Sequence, residues 1–338
     1  MNNVSIGDMA QMFTLRRSNA DMKTQLQRLT AEMSSGQKAD LAAAVSGDFK
    51  ALAGIEHTLS VLTAYHTATS EAAIFTGALQ NALETTQQLA SDLAPTLASA
   101  GTSGGTIHVN TAAFDARQKL HSAVSAINVR IGDRYLLSGA ATDRKPVSGA
   151  QDILNALSTA ITGQVTASGV ITAISGWFDA PLGGGGYLDT AYGGSAVPLA
   201  PFAIGTDDVA SMTITATDDT LRGTLKGLAL AAMVAEGALP GDDTGRALLV
   251  KTAGQMLMTA NTDLATLRGN LGSVEGHISD VATRNGAEAS SLEIARSDII
   301  AADPFSTASE LEAVKTRLET LYTLTARLSR LSLADYLR

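Results

Sequence analysis

The chain has 338 residues, enough for two or three domains. Its net charge is −9, and no basic run exceeds two residues, which argues against nucleic acid as a partner. There is no cysteine, so disulfides and thiolate metal sites are excluded. Charged residues make up 17 %, below the roughly 25 % usual for soluble domains, which implies much surface buried against neighbours. Aromatics make up only 4 %, and alanine and leucine dominate, which suits long helices packed side by side.

The first predicted element runs from Asn2 to about Ser34. Its apolar stripe is Met12, Leu15, Met22, Leu26, Leu29 and Met33, stepping by three and four, with Asn19 the polar exception. Gly36 is expected to stop it in a left-handed cap. Helical pattern resumes near Asp48 through Leu52, Ile55, Leu59, Leu62, Leu79, Leu83, Leu89 and Leu93, and is expected to end at Pro95 and the glycines of 101–105. A helix of about 45 residues would be roughly 70 Å long, more than a globular domain usually hosts. A short extended piece is expected at Thr106–Asn110. A third helix follows, with stripe Leu120, Val124, Ile127 and Ile131, ending at Gly139.

From about Ala140 to Leu221 the character changes. This stretch holds four of the seven prolines and the run Gly183-Gly184-Gly185-Gly186. Met212, Ile214 and Ala216 alternate with threonines, which predicts a half-buried strand bracketed by the turn pairs Asp207-Asp208 and Asp218-Asp219. The segment therefore reads as a small β-rich insert.

Helical pattern returns near Leu221 and is strongest after Asp243. Leu264, Leu267, Leu271, Val274, Ile278, Val281, Leu292, Ala295, Ile299 and Ala302 keep one heptad frame, interrupted by Asn285 and Glu288. Asp303-Pro304 breaks the phase, with Asp303 or Ser306 the expected cap of the last helix. That helix carries Leu311, Val314, Leu318, Leu321 and Leu328, with Thr325 the exception. The predicted fold is thus mainly α, with long antiparallel helices nested so that the first pairs with the last as a coiled coil. Residues 1–40 plus 305–338 form a terminal domain, 41–139 plus 225–304 a long-helix domain, and 140–224 the insert.

Chemical motifs do not survive inspection. Gly101-Thr102-Ser103-Gly104-Gly105 fits the spacing of a nucleophile elbow, but a helix precedes it where a strand is needed. The four glycines lack the G-K-[ST] of a phosphate loop. His57, His66, His108, His121 and His277 show no metal-ligand spacing, and the acidic pairs no calcium-loop spacing. Trp177 and Phe178 read as core of the insert. No catalytic, cofactor or metal site is expected, and no stretch reaches the roughly 20 apolar residues of a membrane helix. The N-terminus shows no apolar region after Arg16, so no cleaved secretory signal is expected. The seams at both ends suit intermolecular packing: a lone pair of short helices is marginal, and such arms are expected to order on assembly.

Three segments resemble the bacterial flagellin family. Arg28-Leu29-Thr30-Ala31-Glu32-Met33-Ser34-Ser35-Gly36-Gln37-Lys38 is similar to its N-terminal segment, where a helix ends in a Ser-Gly-Lys-type turn. Gly132-Asp133-Arg134-Tyr135-Leu136-Leu137-Ser138-Gly139 is similar to its G-x-R-Y-L-F-S-G. Leu331-Ser332-Leu333-Ala334-Asp335-Tyr336-Leu337 resembles the S-L-x-D-Y-L ending of the family's hook–filament junction members. Ala39-Asp40-Leu41 stands where the family usually has an acidic Asp-Asp-Pro-type segment. The resemblance spans roughly residues 1–139 and 225–338 and leaves the insert unmatched.

What the resemblance implies is a structural, extracellular flagellar subunit. It would assemble in a ring with copies of itself, contact neighbouring hook-associated protein and flagellin, and use an export chaperone and the flagellar type III route. Tyr336 would join the C-terminal packing. The insert would project from the surface, in keeping with its acidic residues outnumbering basic ones by eight to three. A short filament flagellin is the alternative within the family, and a coiled-coil signalling rod the alternative outside it.

Overall fold

The computed structural model describes residues 6–336; side chains are described for 9, 10 and 12–327. The fold is mainly α, with long helices packed on one another. Its elements are α1 (Ile6–Ser35), α2 (Leu41–Ala44), α3 (Lys50–Ser103), α4 (Thr106–Ile127), β1 (Arg130–Ile131), β2 (Arg134–Tyr135), α5 (Ala150–Ala160), α6 (Ala167–Asp179), α7 (Tyr187–Thr190), β3 (Phe202–Ala203), β4 (Val209–Ala210), α8 (Asp219–Ala235), α9 (Asp243–Ile300) and α10 (Pro304–Tyr336). Two compact units are present: Met1–Leu62 with Ala287–Arg338, and Thr63–Gly286. The boundaries fall inside α3 and α9, and the insert shares a unit with α4, α8 and most of α3 and α9.

In the first unit α1 packs against α10, the first-with-last pairing expected from the stripes. Leu52 and Leu62 of α3 are buried, and Arg296 of α9 lies 3.6 Å from Glu56.

In the second unit the α3 and α9 segments approach through small residues. A Cβ added at Gly254 would lie 2.8 Å from Ala98 N and 2.9 Å from Ala94 O; one at Gly101 would meet Ala247 O at 2.6 Å. Arg268 donates to Gln87 Oε1 (2.7 Å), and Gln80 Nε2 donates to the Arg268 carbonyl (3.1 Å). Pro95 does not end α3, contrary to expectation. Its side chain is exposed, while Leu93, Ala94 and Leu97 are buried, and that burial outweighs the roughly 3 kcal/mol a proline costs inside a helix. The helix stops at Ser103, and Gly104 takes φ +66° to start the reversal into α4. There is no nucleophile elbow at this corner: Ser103 Oγ donates to the Ala100 carbonyl.

Thr106–Asn110 is helical rather than extended, because Val109 begins the buried stripe Val109, Ala112, Ala113, Ala116, Leu120, Val124 and Ile127 that faces α8. The helix ends at Ile127, earlier than Gly139, and Ile131 lies in a hairpin. β1 and β2 pair antiparallel across Gly132-Asp133, with Gly132 at φ +56°.

The insert is more helical than the β-rich reading held. α5, α6 and α7 occupy it, and its sheet is the single antiparallel pair β3–β4. Met212–Ala216 is irregular because no neighbouring strand offers a ladder. It lies over the core without alternating: Met212 is buried, Thr213 exposed, and Thr215 and Ala216 both buried, with Ala216 N donating to Leu137 O (2.9 Å). Trp177 and Phe178 are core, as expected. Their ring centroids are 4.9 Å apart, and Phe178 stacks on Tyr187 at 5.6 Å. Tyr187 is fully buried, which pushes its phenol above the usual range, and its hydroxyl donates to Ala216 O (2.9 Å).

The four-glycine run closes on the chain's own carboxylate. Gly183 N and Gly185 N donate to Asp189 Oδ1 and Oδ2 at 2.8 and 2.7 Å, and these bonds hold the Asp189 carboxyl below its ordinary range. The amides that a phosphate would need are engaged. A depressed folded-state value means that the loop gains stability from Asp189 above the ordinary carboxylate pKa and loses it as pH falls through the folded one. The amide resonances of Gly183 and Gly185 should therefore titrate together below about pH 4, and Asp189→Asn should abolish that shared titration.

β3–β4 is seated on α9 by the residue that interrupts its heptads. Asn285 is buried and its Nδ2 donates to Ile204 O (2.8 Å); Arg284 pairs with Asp208, and His277 Nε2 lies 3.8 Å from Asp208 Oδ1. Asn285→Leu would leave the Ile204 carbonyl without its donor. It should cost about 1–3 kcal/mol, read as a lower urea midpoint.

Candidate assembly interface

The terminal pair begins at a stitched corner in the first unit. Gly36 takes φ +70°, as the cap expectation required, and Gly36 N donates to Glu32 O (2.8 Å). Residues 36–38 then run antiparallel to the break between α9 and α10. Lys38 N donates to Ile300 O (2.8 Å), Ala302 N donates to Gly36 O (2.9 Å), and Gln37 bridges Ala301. Glu32 is buried, and its Oε1 accepts from Ala39 N (3.0 Å) with Arg28 at 3.8 Å. Asp303 caps α10, accepting from Phe305 N at 2.9 Å; Ser306 is a donor to it, not the cap. The corner thus fixes where α1 ends and α10 begins. Glu32→Ala should lower thermal stability of the terminal pair by about 0.5–1.5 kcal/mol, since the hydrogen bond from the Ala39 amide to the buried carboxylate is lost; differential scanning calorimetry checks it.

Above the corner the two stripes are only partly satisfied by each other. Leu29 and Val314 are buried, at 1 % and 2 % exposed. Leu15, Met22, Leu26, Leu311, Leu318 and Leu321 are half-buried. Met12 and Met33 remain exposed, at 62 % and 49 %. Phe13, Phe305, Tyr322 and Leu324, which the stripes did not include, also face outward. The side chains of Leu328 and Tyr336 lie outside the described residues. A helix pair that buries one row of side chains and leaves large apolar residues outside has surface to offer another chain.

The second motif, Arg134–Gly139, organises the other unit. Leu136, Leu137, Ser138 and Gly139 are buried, and Arg134 reaches Glu71 (2.7 Å). Ser138 Oγ donates to Arg144 O (2.6 Å), while Ser138 O accepts from Ser195 N (2.8 Å). Gly139, at φ +60°, sits against the backbone carbonyls of Ser195 and Val197, and a Cβ has no room there. The motif is a knot that ties β2 to the insert and to residue 216; it presents no reactive group. The motif and the terminal stripes belong to different units.

Sequence reasoning missed Glu32, Asn285 and Asp189 as structural ligands. Asn285 announced itself as a polar residue on a buried stripe. Among the described residues, no three His, Asp or Glu side chains are grouped to hold a metal ion, and no helix is long and apolar enough to cross a membrane.

Fold and site together define a mainly helical protein in which α1 and α10 pair and leave large apolar side chains exposed. Residues 255–337 match the family model of the bacterial flagellin C-terminal helical region, about a quarter of the chain. The match takes in α9 from Gln255 onward and all of α10, and it supports a structural subunit of the bacterial flagellin family. No curated protein matches the chain.

Proposed function

We propose that this chain is a non-enzymatic flagellar structural subunit of the hook-associated protein 3 type, an adaptor at the hook–filament junction on which flagellin polymerises. The observation that carries the reading is the terminal pair: residues 36–38 and 300–302, more than 260 positions apart in sequence, are stitched together, and the pair above them leaves Met12, Phe13, Met33, Tyr322 and Leu324 outward. The flagellin match over 255–337 supports the family part of the reading. The junction part rests on the likeness of Leu331–Leu337 to the ending of junction members.

The chain assembles as a ring through the seam formed by Met12, Leu15, Met22, Leu26, Met33, Leu311, Leu318, Leu321, Leu328 and Tyr336, with Leu29 and Val314 of the same stripes packing the pair from within. It meets hook-associated protein and flagellin on either side, leaves the cell by the flagellar export route with a chaperone, and works outside it. Residues 1–40 with 305–338 are the assembling part, 41–139 with 225–304 the supporting helices, and 140–224 the surface insert.

A filament flagellin is the second reading, because the same C-terminal match fits it. Immunogold labelling of whole flagella separates the two. A single collar of label at the hook end supports the junction adaptor; label along the whole filament supports the flagellin.

A further inference from the structure

Sulfur is distributed unevenly in this chain. There is no cysteine, and five of the nine methionines fall within the first 33 residues. Where α10 builds its stripe from leucine and valine, α1 uses methionine at three of six positions: Met12, Met22 and Met33. Met9, Met12 and Met33 are 59 %, 62 % and 49 % exposed, whereas Met212 and Met233 are buried in the other unit. Methionine is the apolar side chain that an oxidant converts to a polar one without breaking the backbone.

We propose that the methionine face of α1 (Met9, Met12 and Met33) is an oxidation-sensitive site that permits assembly only while reduced. This rests on the reading of α1 as part of the assembly seam. The chemistry is a two-electron oxygen transfer from a peroxide. The thioether sulfur attacks the peroxide oxygen, an S–O bond forms as the O–O bond breaks, and the peroxide is reduced to water while the thioether becomes a sulfoxide. The sulfoxide carries a strong dipole into a face that must become apolar on assembly, so it must be buried unpaired or stay in water. A chain already assembled covers these sulfurs, so the unassembled chain is the vulnerable form.

The test treats the purified full chain with hydrogen peroxide, maps sulfoxides by peptide mass, and measures incorporation onto hooks isolated from a strain lacking the gene. The expected result is that Met9, Met12 and Met33 oxidise well before Met212 and Met233. Incorporation should then fall by about tenfold for each sulfoxide on the seam, and methionine sulfoxide reductase should restore it. A Met9→Leu, Met12→Leu, Met33→Leu chain should incorporate equally well with or without peroxide. Met258→Leu, which removes an exposed methionine on α9, should give no protection. Undiminished incorporation of the oxidised wild-type chain overturns the inference, as does loss of incorporation by the peroxide-treated triple variant. If the untreated chain fails to incorporate, the assembly reading itself is wrong and this inference falls with it.

Discussion

Leu26→Asp and Leu318→Asp chains are expected to stay soluble and helical as monomers and to be absent from sheared flagella. Both positions are half-buried on the paired terminal helices, so a carboxylate there can turn to water in the isolated chain. In an assembly the same carboxylate is enclosed by a neighbour, and an unpaired buried charge costs several kcal/mol. Leu29 and Val314 provide the contrast. Both are buried within the single chain, so Leu29→Ala should cost the terminal pair about 2–5 kcal/mol of its own stability. Val314→Asp should lower the helical circular dichroism of the monomer before any assembly is attempted. The two pairs of positions thus separate packing inside the chain from packing between chains. Normal incorporation of Leu26→Asp or Leu318→Asp would remove the stripes from the assembly surface.

The second large effect belongs to the close helix crossing of residues 63–286. Gly254→Val places its Cβ against the Ala98 amide and the Ala94 carbonyl, which are backbone atoms that no rotamer change can move. The α3 and α9 segments must separate there, and the buried contacts of Ala94, Leu97 and Ala253 loosen with them. We expect a loss of about 3 kcal/mol or more, which for a unit of this size lowers the melting temperature by about 6–12 °C. Gly269 on the same helix is the control. It is exposed and has open space around it, so Gly269→Ala should raise stability by about 0.5–1 kcal/mol through helix propensity alone. Equal melting temperatures for the two variants would contradict the crossing geometry.

Much of the helical layout was legible in the sequence, because burial repeats with the helix period. The stripe from Leu264 to Val281 is buried or half-buried throughout, and Gly36 and Asp303 end and begin helices where their chemistry predicts. Local signals misled where tertiary packing outweighed them. Pro95 reads as a stop, yet α3 continues because its apolar face is covered on both sides of the proline. Met212–Ala216 has the alternation of a strand but no partner, and a strand exists only by its ladder.

The hairpin of Arg130–Tyr135 could have been found from Gly132-Asp133 between residues of a two-residue turn pattern. Asn285 could have been flagged from its place on an apolar stripe, but not its partner Ile204, which is 81 residues away in sequence. The stripes on α1 and α10 were legible as seams. Which rows face each other and which face outward was not, because the heptad pattern is blind to how much of a stripe one partner covers.

The most direct test of the account is deletion of the gene, followed by electron microscopy of the cell surface and assay of flagellin in the culture medium. The account predicts bare hooks with flagellin shed into the medium. Filaments of normal length and number on the deletion strain would contradict it.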